Sequence, residues 1–153
     1  MNFIHLARPG KIAGLDIPNR IIMAAMGSNL AEDNGHCGER LINYYEQRAR
    51  GGTGLLIVET TSVSWPAGTT MPRQIGLSDA AFLPGLQQLA QRVHRHGAKL
   101  AVQLNHGGKV SQQDTAAGRP LMVASIPQKN SSDMFAALTA AEIASFVKAA
   151  GPD

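Results

Sequence analysis

Three short apolar runs constrain the fold more than any other feature of this sequence: residues 20–26 (RIIMAAM), 54–60 (GLLIVET) and 99–104 (KLAVQL). Each is nearly continuous in apolar residues and bounded by turn residues. Strands buried on both faces read this way, and parallel sheets contain such strands. Helical patterns lie between them. Residues 40–50 (RLINYYEQRAR) put Leu41, Tyr44, Tyr45 and Arg48 at helical spacing, and Gly51-Gly52 can close that helix in a left-handed cap. Residues 80–96 carry Phe82, Leu86, Leu89 and Val93 three to four apart, with Asp79 as N-cap and Gly97 just past the last turn. A third helix is expected from Thr139 to Ala150. Thr139 and Glu142 would form its capping box, and Leu138 and Ile143 its hydrophobic staple. Strand and helix therefore alternate three times, which predicts an α/β fold with parallel strands and right-handed crossovers. Ahead of them, residues 3–20 offer two short extended pieces with a turn expected at Pro9-Gly10, and residues 107–138 read as one long loop.

Three βα units do not complete a domain. An open three-stranded parallel sheet exposes two edges, and a β/α barrel needs eight units and usually about 250 residues. Small and polar residues gather after each apolar run, at 27–29, 60–62 and 105–109. Those are strand C-terminal ends, where barrels build their sites, so a portion of a (β/α)8 barrel is favoured over a small open sheet.

Composition excludes several function classes. The chain has 153 residues, 44% of them apolar, which fits one domain with a real core. The formal charge of +3 is scattered, and the densest basic stretch, 92–99, is interrupted by apolar residues like the wet face of a helix. No basic stripe with interleaved aromatics offers a nucleic-acid surface. The N-terminus lacks the apolar core of a signal peptide, and no run of about 18 apolar residues occurs, so no membrane partner is expected. The single cysteine, Cys37, cannot form an internal disulfide; a lone thiol fits a reducing cytoplasm and reads as an inert small residue. No metal site is expected. The segment His106-Gly107-Gly108-Lys109-Val110 has a Gly-Lys pair after a strand, but a phosphate-binding P-loop needs Gly where Gln103 stands and Ser or Thr where Val110 stands.

Gln103 needs an explanation of its own. A side-chain amide inside KLAVQL donates and accepts at once, and burying it without partners is costly. It either pairs with neighbouring backbone or faces a ligand.

The segments NRIIMAAM, RLINYYEQRARGGTGLLIVETTSV and HGAKLAVQLNHGGKV, in this order, resemble the N-terminal part of the old yellow enzyme family. Within it they are most similar to the branch of 2,4-dienoyl-CoA reductases and related NADH:flavin oxidoreductases. The resemblance runs from about residue 2 to 150 and covers less than half of the family's barrel. It implies a TIM barrel carrying FMN at its top, an early hairpin closing the bottom, and hydride transfer from NAD(P)H through the flavin to an activated C=C bond of an enone or enoyl substrate. Residues 1–153 would then be a partial FMN-binding domain: the hairpin and about three βα units. By position, Ala24, Ala25, Met26 and Gly27 match the segment whose backbone lines the flavin. Thr60 matches a second backbone contact, and Gln103 matches a glutamine that bonds the flavin's pyrimidine end. Asn29 and His106 fall on the substrate side, and Lys109 stands where Arg is common. The chain departs from the family at Ala25, where Pro is frequent, at Gly27, where Cys or Thr is frequent, and near Asn29, where a Tyr is frequent. The resemblance puts the proton donor, the substrate-binding pair and the phosphate grip beyond residue 153, so no catalytic residue is assigned. An iron–sulfur cluster and FAD would belong only to a longer parent protein, since one cysteine cannot hold a cluster. A homo-oligomer is compatible with this reading. The alternative is a catalytically inert half-barrel with no stable cofactor binding.

Overall fold

The structure, a computed structural model, describes residues 3–118, 121–123, 135–137 and 141. The chain opens with a single helical turn, α1 (Ile4–Ala7), followed by an antiparallel hairpin of β1 (Gly10–Ile12) and β2 (Leu15–Ile17). The hairpin turns at Ala13-Gly14, with Ala13 at φ 48°, and not at Pro9-Gly10. Pro9 instead follows an extended Arg8, as the clash between a proline ring and the preceding residue requires. The first of the two expected extended pieces is thus partly helical.

The main sheet is parallel. β3 (Ile22–Met23) pairs with Leu55 and Leu56 of a longer strand that follows α2 (Glu39–Arg50). That strand, β4 (Leu55–Ser62), is the centre of the sheet. The short β5 (Ile75–Gly76) pairs with its last two residues, a 3-10 turn at Ala80–Phe82 leads into α3 (Leu83–His94), and β6 (Lys99–Asn105) runs along the full length of β4. β3 and β5 therefore divide one edge of β4 between them while β6 takes the other. The first apolar run is a much shorter strand than expected: its ladder ends at Met23, and residues 24–30 leave the sheet where β5 takes over. Asn19 ties the start of this run to the α2–β4 turn by donating to the Gly52 carbonyl (2.8 Å).

The helices form where the spacing placed them. Leu41, Ile42, Tyr45 and Ala49 of α2 and Leu89 and Val93 of α3 pack on Leu56, Val58 and Ile75 of the sheet. Arg48 does not join this face; its guanidinium lies 3.6 Å over the Tyr44 ring. Gly52 (φ 95°) and Gly97 (φ 77°) take the left-handed conformation past the two helix ends, and Asp79 accepts from the Ala81 amide (2.6 Å) as N-cap. Arg92 of α3 bridges Glu39 (3.1 Å) and Glu46 (2.8 Å) of α2, joining the helices on their outer side.

Only β4 matches the expectation of burial on both faces. In β6, Leu100 and Val102 pack toward the helices, whereas Ala101 and Gln103 alternate to the opposite face and are exposed. Among the described residues nothing covers that face, so the KLAVQL run is apolar for a reason the helices do not supply. Residues 107–118 are not a plain loop either: they hold a 3-10 turn (Gly108–Val110) and α4 (Gln112–Ala116), and further on β7 (Leu121–Val123) pairs in parallel with β8 (Phe135–Ala137). The helix expected from Thr139 lies, apart from residue 141, outside the described residues. No helix among the described residues is long and apolar enough to cross a membrane.

Candidate functional site

β4 and β6 end side by side, with Ser62 paired to Asn105, and the segment beyond β3 reaches the same end of the sheet, where Ser28 bonds Glu59; an irregularity in β4 shapes this region. Val58 pairs with Val102 and Thr61 with Leu104, so Glu59 and Thr60 together oppose the single residue Gln103. Such two-against-one bulges free backbone groups from the ladder and re-aim side chains, and they concentrate next to active sites. Here the bulge sets Thr60 beside Gln103.

The amide that the bulge frees is claimed from below. The Glu59 N–H donates to the Tyr45 hydroxyl oxygen (2.8 Å), and that hydroxyl donates to Oε2 of Glu59 (3.3 Å). The same oxygen accepts from the backbone N–H (3.1 Å) and the hydroxyl (2.5 Å) of Ser28. Glu59 is fully buried, and its other oxygen, Oε1, has no hydrogen-bond partner among the described residues. Burial, reinforced by the Glu59 charge, pushes the Tyr45 phenol up, so it stays a neutral donor. Burial first, then the charges of Glu59, Glu32 and Glu39, pushes the Cys37 thiol up to about 12, in keeping with an inert residue.

A loop closes over the same end of the sheet. Arg73 donates its backbone N–H to Asn29 Oδ1 (2.8 Å) and its Nε to Asp33 (2.7 Å) on the β3 side. Fully buried Gln74 donates to Asn105 (3.3 Å) on the β6 side and accepts from the Thr70 N–H (2.7 Å). Gly68 receives the Gly107 N–H (2.6 Å) and donates to buried Asp114 (2.8 Å). Residues 68–74 thus bind together the ends of both outer strands.

The residues singled out from sequence fall into two groups. Ala24, Met26, Gly27 and Gln103 are exposed, and Ala25 and Thr60 are half-buried; residues 24–27 lie in the segment after β3, and Thr60 and Gln103 near the ends of β4 and β6. Thr60 Oγ1 has no hydrogen-bond partner among the described residues. The small side chains of Ala24, Ala25 and Gly27 and the exposed carboxamide of Gln103 offer donors and acceptors that fit the carbonyls and N–H of a planar heterocycle. Gln103 is not buried, which removes the desolvation argument first made for it; it faces the open side of the sheet because helix-facing and open positions alternate along β6. The second group belongs to the loop junctions. Asn29 (φ 58°) spends its carbonyl oxygen on Arg73. His106 is half-buried, with Nδ1 accepting from the Gly108 N–H (3.1 Å); burial pushes its imidazole down, opposed by Asp114. The Lys109 side chain lies outside what is described. Sequence reasoning missed Glu59, although a carboxylate inside GLLIVET is the same kind of signal as the amide inside KLAVQL. Among the described residues no group of three or more His, Cys, Asp or Glu could hold a metal ion.

Comparison with known proteins matches residues 5–150 to the NADH:flavin oxidoreductase / NADH oxidase family. The chain is 39% identical over 127 residues to an NADH oxidase of Thermoanaerobacter brockii, covering 82% of this chain and 20% of that protein. It is 36% identical over 104 residues to an NADPH dehydrogenase of Halalkalibacterium halodurans, covering 67% of this chain and 30% of that protein. Among solved structures, an old yellow enzyme homologue from Zymomonas mobilis superposes with a TM-score of 0.79 at 26% identity, over 94% of this chain and 42% of that one. A 2-naphthoyl-CoA reductase in complex with 2-naphthoyl-CoA superposes with a TM-score of 0.82 at 25% identity, over 95% of this chain and 24% of that one. The chain therefore spans less than half the length of these relatives.

Proposed function

The chain belongs to the NADH:flavin oxidoreductase / NADH oxidase family, with the fold of the N-terminal part of its TIM barrel, and from that premise we propose that the segment after β3 and the ends of β4 and β6 hold FMN for reduction of an activated C=C bond with NAD(P)H. The observation that carries this reading is the bulge: it sets Thr60 against Gln103, beside a β3 extension that has left the ladder. When bound, FMN would supply the hydride chemistry that no protein side chain offers. The chain's own residues do the positioning. Ala24 to Gly27 present main chain with little side-chain bulk, so a flat ring can approach. The Gln103 amide donates to one ring carbonyl and accepts from a ring N–H. Thr60 adds its backbone and hydroxyl at the bulge. Asn29 and His106 bound the substrate side through the loops they secure. The substrate class we propose is an enone or an enoyl thioester. The proposal leaves the proton donor unassigned to any residue of this chain.

The test is titration of FMN with the chain, followed by quenching of flavin fluorescence and flavin absorbance after gel filtration. Gln103→Leu removes two hydrogen bonds, each worth about 1 kcal/mol net, so affinity should fall roughly tenfold or more. Equal flavin retention by the wild-type and Gln103→Leu chains would refute the assignment of Gln103. A second reading, a half-barrel that holds no flavin unaided, is favoured by the open apolar face, where Ile22 is 44% exposed. Loss of all yellow colour on gel filtration would select it.

A further inference from the structure

Gly27 has no side chain, yet the space beside it is filled. A Cβ built on Gly27 would lie 2.6 Å from the Met71 methyl and 2.7 Å from its sulfur, so the Met71 thioether occupies the volume that a residue-27 side chain would take. Met71 comes from a different strand's loop, and its backbone is held on both sides. Arg73 is tied to Asn29 (2.8 Å) and Asp33 (2.7 Å), and the Thr70 N–H to Gln74 (2.7 Å). Met71 is half-buried, while Gly27 and Met26 beside it are exposed. The thioether therefore lines the open end of the β3 segment. It cannot donate a hydrogen bond, but it is polarisable and flexible and contacts aromatic rings favourably.

We infer that Met71 is a ligand-lining residue of this site: its sulfur and methyl meet the edge of the bound planar ring at the place Gly27 leaves empty, which makes position 71 rather than position 27 the side chain that sets the ring's surroundings there. This rests on the flavin reading above. Space at residue 27 and at residue 71 is then one shared volume, and the two positions must respond to substitution together.

Methyl-13C labelling of the chain's 6 methionines, with Met71→Leu and Met26→Leu to identify their signals, reports this directly. Gly27→Ala should displace the Met71 methyl signal before any ligand is added. FMN should shift both the Met26 and Met71 methyls by ring current. Met71→Ala should weaken FMN binding roughly two- to tenfold, the range of sulfur–aromatic contacts. Gly27→Ala should also weaken binding, and should lose most of that effect in the Gly27→Ala/Met71→Ala chain. If FMN quenches and moves Met26 but leaves Met71 unmoved, the flavin reading stands and this inference is overturned. A Met71 signal indifferent to Gly27→Ala, or Gly27→Ala costs that are equal in both backgrounds, overturns it too. No quenching and no methyl shift at saturating FMN removes the flavin reading and the inference with it.

Discussion

Replacing Tyr45 with Phe deletes one oxygen and should unsettle the whole strand end. That oxygen accepts from the Glu59 N–H at 2.8 Å and carries the proton donated to Glu59 Oε2 at 3.3 Å. The first loss leaves a buried backbone N–H unpaired, at about 1–3 kcal/mol. The second takes one donor from a buried carboxylate; the contact is long and Ser28 still serves the same oxygen, so about 1 kcal/mol is the fitting size. Phe retains the ring's packing, so no cavity cost is added. The sum is about 2–4 kcal/mol, or a fall in Tm of roughly 4–16 °C for a chain of this size. Urea and thermal unfolding followed by circular dichroism measure it, and amide exchange at Glu59 localises it. Ser28→Ala acts on the same oxygen, so the double variant should depart from additivity by at least about 0.5 kcal/mol. A loss under about 0.5 kcal/mol in Tyr45→Phe, with Glu59 exchange unchanged, would refute the idea that the phenol supports the bulge.

Two further predictions follow from the loops and the thiol. Gly68→Ala places a Cβ 2.5 Å from the His106 ring in a left-handed conformation (φ 69°), so both sterics and backbone oppose it, and it should destabilise the chain by about 1–3 kcal/mol in urea unfolding; a neutral result would show that residues 68–74 are not held against β6. Cys37 has a thiol raised from 9.0 to about 12. Its contribution to stability is fully present below pH 9.0 and is lost as the pH climbs toward the folded value, because only the unfolded chain then ionises. Iodoacetamide should accordingly modify Cys37 at pH 8.5 only in denaturant, and fast labelling of the native chain would contradict its burial.

How much of this was legible in the sequence depends on the range of the interactions that decide it. The helices over α2 and α3 were readable because 3.6-residue periodicity, Asp79 and the glycines at 52 and 97 are local signals, and each took the conformation its chemistry favours. The run at 20–26 forms a shorter strand than its composition predicts because its ladder ends for a non-local reason: β5, a two-residue strand from a loop with no strand pattern, takes the rest of that edge. The hairpin turn was misplaced because Pro9-Gly10 is a strong local turn signal, while Ala13 at φ 48° is not a residue whose chemistry announces a left-handed turn. Gln103 reads as buried in the sequence and is exposed in the structure, since a continuous apolar run looks the same whether one face of it meets helices or open space. Glu59 was overlooked for a related reason: its partners, Tyr45 and Ser28, lie 14 and 31 residues away.

A bulge leaves an unpaired amide, and an unpaired buried amide is costly, so this bulge persists only because Tyr45 answers it. The same phenol and the Ser28 backbone hold the carboxylate of Glu59, and Ser28 is the residue directly after Gly27. One buried hydrogen-bond cluster thus fixes both the β4 kink that puts Thr60 beside Gln103 and the path of the β3 extension that faces them. The residues expected to touch a ligand carry few restraints of their own: several are small, exposed or both. Their placement comes from the layer beneath, and substitutions at Tyr45, Glu59 and Ser28 should therefore disturb ligand binding more than their distance from any ligand would suggest.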